Sequence, residues 1–142
     1  MNPSADRAAR ALFARSALTI TEVPLDRHDR LIAESLGMSH AVNLLFMVTL
    51  GADPVSSHEL ARAASTTFHR QSSLAAAVAS EGPELYLDIQ SLNPHSGTMY
   101  QELRRALDRL ATVVERQDRL AFREILAAGQ AKLQPGEPPM RR

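Results

Sequence analysis

Apolar residues recur at helical spacing along most of this chain, and short breaks divide them into segments. Residues 6–16 place Ala9, Leu12 and Phe13 on one helical face, and residues 18–23 (Leu-Thr-Ile-Thr-Glu-Val) alternate apolar with polar. A short helix and then a short strand are predicted there, ended by Pro24. A long helix opens at Leu25-Asp26 and runs to about Leu50. From 41 to 50 it is apolar on nearly every face, interrupted only by Asn43 and Thr49, and a helix of that kind is expected to be buried. Gly51-Ala-Asp-Pro54 breaks it.

Ser56-x-x-Glu59 has the spacing of a capping box, so the next helix should begin near Ser57, with Leu60, Ala61, Ala64 and Phe68 as its apolar residues. Residues 65–73 are polar and rich in side chains that compete for backbone hydrogen bonds, which predicts a kink or a cavity-lining stretch before the helix resumes through 74–79. Pro83 suits the first position of a short helix that Asn93-Pro94 stops. Thr98 opens a helix with Met99, Leu103, Leu107, Leu110 and Val114 in one stripe, which must face a core or a partner. Asp118 can cap a last helix that buries Phe122, Ile125, Leu126 and Leu133, and the proline-rich residues 134–139 cannot continue it. The pattern predicts a mainly α fold of about six helices with at most one short strand. It divides into a helix–strand segment over 1–24, a helical domain over 25–133 and a disordered tail over 134–142.

With 142 residues the chain can bury one core but is too short for a dinucleotide-binding domain beside a catalytic one. Sixteen basic and sixteen acidic residues are interspersed, so no electrostatic footprint for nucleic acid or an anionic membrane exists. The absence of cysteine removes disulfide and thiolate chemistry, and neither a leader nor an apolar run long enough to span a bilayer is read. A cytoplasmic protein is expected. The histidines and carboxylates show no metal-ligand spacing, and the scattered glycines make neither a phosphate cradle nor a dinucleotide fingerprint, so neither metal nor cofactor is predicted.

Candidate chemistry centres on His40, at the edge of the apolar segment, with Asn43 one turn further on. From the residues alone it is an acid, a base or a ligand contact, or else a core histidine bonded to a backbone carbonyl. His69, Arg70 and Gln71 form a second polar group, readable as a ligand contact or as a solvated patch. His28 and His58 sit near helix starts, His95 lies in a loop, and Glu84 and Asp88 share one face of a short helix where paired carboxylates are usually solvated.

The succession His28-Asp29, Ser39-His40-Ala41, Glu84-Leu-Tyr-Leu-Asp-Ile89 and Asp118-Arg-Leu-Ala-Phe122 resembles the helical C-terminal domain of prephenate dehydrogenases, most closely the type fused to chorismate mutase. The likeness covers roughly residues 16–133. It implies a domain that closes a substrate pocket and dimerises through its helices, with His40 on the position of a substrate-contacting histidine and Tyr86 packed into the core. It also implies that Ala77 stands where the family uses an arginine to hold a substrate carboxylate, a loss that Arg70, His69 or Gln71 could offset from another angle. The chain starts almost where the family's nucleotide-binding domain ends, so a freestanding helical domain without its redox half is expected.

Two functions follow from that expectation. One is a homodimeric, cofactor-independent enzyme or binder of isomerase, cyclase or lyase type, holding a small carboxylated or cyclic metabolite of specialised metabolism with His40 as acid or base. The other is a dimerisation or regulatory subunit for a separate dehydrogenase or chorismate mutase. A water-accessible cavity lined by His40, Asn43 and residues 65–73 would favour the first.

Overall fold

The computed structural model describes residues 3–14, 16, 20–80 and 82–133. Among the described residues eight α-helices run in order: α1 (Pro3–Phe13), α2 (Leu25–Ile32), α3 (Met38–Gly51), α4 (Ser57–Ala63), α5 (Thr66–Ala79), α6 (Pro83–Ser91), α7 (Ser96–Glu115) and α8 (Arg119–Leu133). The fold is mainly α. The count exceeds the expected six because two long helices are each divided. A π-helical turn, Ala33–Gly37, separates α2 from α3 without breaking the rod, so Leu25–Gly51 is one continuous 27-residue helix. The polar stretch expected to kink the next helix breaks it outright. Ala64 is extended, and the Ser65 hydroxyl accepts the Phe68 N–H at 3.1 Å, giving α5 a start of its own.

The strand expected over 18–23 is not formed by its described part. Residues 20–24 carry no regular structure, Leu18 and Thr19 lie outside the described residues, and no strand occurs among those described. A lone strand has no neighbour to take its hydrogen bonds. Charge does the tethering instead: Arg10 on α1 pairs with Asp6 at 3.2 Å and with Glu22. The tail over 134–142 falls outside the described residues.

Helices α3 and α5 form the central pair. Phe46 meets Phe68 edge to face at 5.8 Å between centroids, and Gln71 Nε2 donates to Asn43 Oδ1 at 2.9 Å, so the two helices run antiparallel in a fixed register. Ala41 and Ala75, at 3% and 2% exposure, carry methyls at this contact that let the backbones approach. Side chains from α6, α7 and the loop between them staple the long helix. Gln90 Nε2 donates to the Gly37 carbonyl at 3.0 Å, Tyr100 Oη donates to Gln90 Oε1 at 2.9 Å, and Asn93 Nδ2 donates to the Asp29 carbonyl at 2.7 Å. Met99 lies against Gly37, with its sulfur 3.6 Å from where a β-carbon would sit.

The expected capping box of α4 is complete: the Ser56 hydroxyl accepts the Glu59 N–H, and the Glu59 carboxylate accepts the Ser56 N–H at 3.1 Å. Bonding from the Ser56 side chain, and then from its backbone, holds the Glu59 carboxyl below its usual range. Between α7 and α8 the chain makes a Schellman turn. The amides of Gln117 and Asp118 donate to the carbonyls of Val114 and Val113, and Asp118 Oδ1 then accepts the amides of Leu120 and Ala121 to start α8. Gln117 occupies the left-handed position, φ 54°, where glycine avoids the β-carbon penalty. Gln117→Gly is therefore expected to stabilise the chain by about 1 kcal/mol in urea unfolding. A destabilised variant would show that the glutamine side chain outweighs the backbone strain.

A folded domain of this size normally covers far more of its apolar surface. Among the described residues the buried apolar ones are only Ala33, Ala41, Ala75, Val78, Tyr86 and Met99. The helix expected to be buried all round is not: on α3 only Ala41 is buried, while Leu45 and Val48 are 52% and 70% exposed. Nothing among the described residues covers its outward face. By length and composition alone Leu25–Gly51 also suffices to cross a membrane, contrary to the reading that no such run exists. Its packing against α5 and the staples from α6 and α7 make it the central helix of this fold.

Candidate functional site

The residues around His40 come from three helices. Helix α3 presents His40 and, one turn later, Asn43; α5 supplies Gln71, which bonds Asn43; α6 supplies Tyr86, which meets the His40 ring. The half-buried His40 ring stands edge-on to buried Tyr86, with centroids 5.0 Å apart at 78°. Its Nδ1 is sealed from solvent and has no hydrogen-bond partner among the described residues, and the same holds for Ser72 Oγ. The alternative of a core histidine satisfied by a backbone carbonyl does not describe this nitrogen. Asn43 is oriented from both ends, because its amide donates to the Ser39 carbonyl at 2.9 Å and its carbonyl accepts from Gln71.

The structure thus brings together three of the five residues singled out from the sequence, His40, Asn43 and Gln71. It sets His69 and Arg70 apart. Both are exposed and border a shallow cleft of about 450 Å³ with Ser73 and Leu74. Ala77 is exposed further along α5, so no guanidinium is presented from that position. His28 bonds Asp29 at 3.1 Å on the exposed α2 and caps nothing, since the helix start has no side-chain capping bond, and His58 is exposed.

The periodic pattern gave no sign of the polar relay Tyr100–Gln90–Gly37, nor of a groove of about 620 Å³ between the π turn and α7. Met38, Met99 and Leu103 floor this groove, with Arg30, Glu34 and Glu102 on its rim. Regular 3.6-residue periodicity does not anticipate it, because the π turn rotates Ala33 and Met38 relative to each other. His95, read as a solvated loop residue, is half-buried at the groove's edge, its amide held by Asn93 Oδ1 at 2.9 Å.

Among the described residues no three histidine, aspartate or glutamate side chains gather as a metal site. Nor do those residues fit a nicotinamide dinucleotide, since they include no strand and hence no strand–glycine-loop–helix unit to receive a pyrophosphate.

Residues 24–128 match the family model of the prephenate dehydrogenase dimerization domain. The chain belongs to this family. It is 36% identical over 121 residues to a 4-amino-4-deoxyprephenate dehydrogenase of Streptomyces pristinaespiralis, a match over 85% of this chain and 41% of that protein. It is also 25% identical over 104 residues to a probable arogenate/prephenate dehydrogenase of Methanocaldococcus jannaschii, over 73% of this chain and 23% of that one. The chain thus spans less than half the length of these curated relatives. No solved structure matches it significantly. For a prephenate dehydrogenase dimerization domain, a thin core and exposed apolar helix faces are the expected condition of one copy taken alone.

Proposed function

We propose that this chain is the dimerising, ligand-holding module for a small cyclic carboxylic acid of the prephenate or 4-amino-4-deoxyprephenate type, the class named by its relatives. The main support is the buried, unpartnered Nδ1 of His40 beside the oriented Asn43–Gln71 pair. Leaving a buried polar atom unpaired costs about 1–3 kcal/mol, so it persists where something else rewards it, and an oxygen of a bound acid is such a partner. His40 bonds or exchanges a proton with that oxygen, and its edge contact with Tyr86 holds the ring. The module works in the cytoplasm as a homodimer, which covers the outward faces of α3, α7 and α8.

Any hydride step belongs to a nucleotide-binding unit outside the described residues, in keeping with relatives named as dehydrogenases. A second reading, a cofactor-independent isomerase, cyclase or lyase, is favoured by one observation: alanine at position 77 removes the carboxylate anchor expected of the usual chemistry.

Sedimentation and titration calorimetry on the same sample test the proposal. A dimer at micromolar concentration that binds prephenate or 4-amino-4-deoxyprephenate, but not NAD, is expected. A monomer that binds neither acid would overturn it.

A further inference from the structure

Helix α6 grips the long helix at two points. The Tyr86 ring meets the His40 ring edge-on at 5.0 Å between centroids, and one turn later on α6 Gln90 Nε2 donates to the Gly37 carbonyl at 3.0 Å. Tyr86 and Gln90 stand at i and i+4 on α6, and Gly37 and His40 at i and i+3 on the long helix. One face of α6 therefore runs antiparallel along the face that carries His40.

The two contacts act at different levels. Tyr86 touches the imidazole itself, whereas Gln90 holds the backbone where the π turn, Ala33–Gly37, gives way to α3. In that turn the Met38 amide donates to the Ala33 carbonyl five residues back. If the turn tightened to α-helical spacing, the residues after it would rotate about the axis relative to those before it, by an angle on the order of one residue's 100°. His40 lies three residues after Gly37 and would turn with them. A bond from outside the helix to the Gly37 carbonyl opposes that change. The amide that makes it is itself held. A carbonyl can only accept, so Gln90 must turn Nε2 toward Gly37 and Oε1 away, and Tyr100 Oη donates to that Oε1 at 2.9 Å.

We infer that Gln90 is a positioning residue for His40. Its bond to Gly37 fixes where the π turn ends and so the direction in which α3 presents the imidazole. Tyr100 keeps the Gln90 amide in its donating orientation, and Tyr86 completes the hold on the ring. Gln90 acts through His40 and does not need to touch the ligand. The inference rests on the reading of His40 as the residue that meets the acid, and adds how that residue is aimed.

Two variants test it. Gln90→Met keeps the length of the side chain without its donor, and Tyr100→Phe removes only the phenolic donor of an exposed residue. Each is made in the parent chain and in His40→Phe. The His40 ring resonances are followed by NMR without ligand, binding of prephenate and of 4-amino-4-deoxyprephenate by calorimetry, and stability by thermal unfolding. Gln90→Met should displace the His40 resonances and weaken binding about 10-fold or more in the parent chain. In the His40→Phe background it should change binding by less than about twofold, because the group it acts through is gone. Tyr100→Phe should move the same resonances in the same direction by less, and its cycle decides the matter if Gln90→Met does not fold. A purely structural glutamine would lower the melting temperature and leave the His40 resonances in place, and that result would overturn the inference. An equal loss of binding in both backgrounds would overturn it too. If the parent chain binds neither acid while the His40 resonances still move, the positioning stands and the ligand proposed for the site falls.

Discussion

Leu45→Asp is expected to lower stability by about 3 kcal/mol or more and the melting temperature by roughly 10 °C or more, although the residue is 52% exposed in the single chain. The size of the effect depends on whether a second copy covers α3. On a free helix face an aspartate keeps its water, and such substitutions stay within about 0.5 kcal/mol. Between two apolar helix faces it is an unpaired buried charge, which costs several times more. The neighbours Val42 and Val48, 43% and 70% exposed, share this outward face and would surround the carboxylate in a dimer. Urea unfolding across a tenfold range of protein concentration reads both quantities. A variant whose midpoint matches the parent chain would show that the α3 face is free in solution.

The same helix shows what the sequence conveys and what it does not. Binary pattern reports that a face must be buried and not by whom, so residues 41–50 read as a core segment although only Ala41 is fully buried among the described residues. Local signals carried further. The Ser56–Glu59 capping box and the Asp118 cap rest on interactions three residues long or less, and both form with the expected partners. The division at Ala64-Ser65 was visible as competition for backbone hydrogen bonds, though its outcome, a break and not a kink, depends on the Ser65 cap. The strand expected over 18–23 is not formed in its described part, residues 20–23, because alternation describes a strand only when another strand lies beside it, and these residues have none.

At the candidate site, His40 and Asn43 were legible because they interrupt an apolar run on a single helix. Gln71 joins them across 28 positions of sequence, which only the antiparallel register of α3 and α5 brings about. His69 and Arg70 adjoin Gln71 in sequence yet point elsewhere, since successive helical residues are rotated by about 100°. The groove between the π turn and α7 was not legible at all, because a π turn leaves no periodic mark in so short a segment.

His40→Phe should weaken binding of the acid about 10- to 100-fold while leaving the fold as stable as before or slightly more so. The first figure is the loss of one hydrogen bond to a charged group, about 1.5–3 kcal/mol. The second follows from what the ring does in the unliganded chain: its Nδ1 has no partner there, so replacing it with an apolar atom removes an unmet demand. Phenylalanine also keeps an aromatic edge for Tyr86, whereas His40→Ala forfeits that contact, worth about 0.5–1.5 kcal/mol, and leaves a void beside it. The two variants should therefore lose binding alike and differ in stability, with alanine the less stable. Calorimetric titration and thermal unfolding of both proteins separate a ligand-facing histidine from a structural one. If the phenylalanine variant binds the acid as tightly as the parent chain, His40 is not part of the site, and the exposed cleft at His69 and Arg70 becomes the place to look.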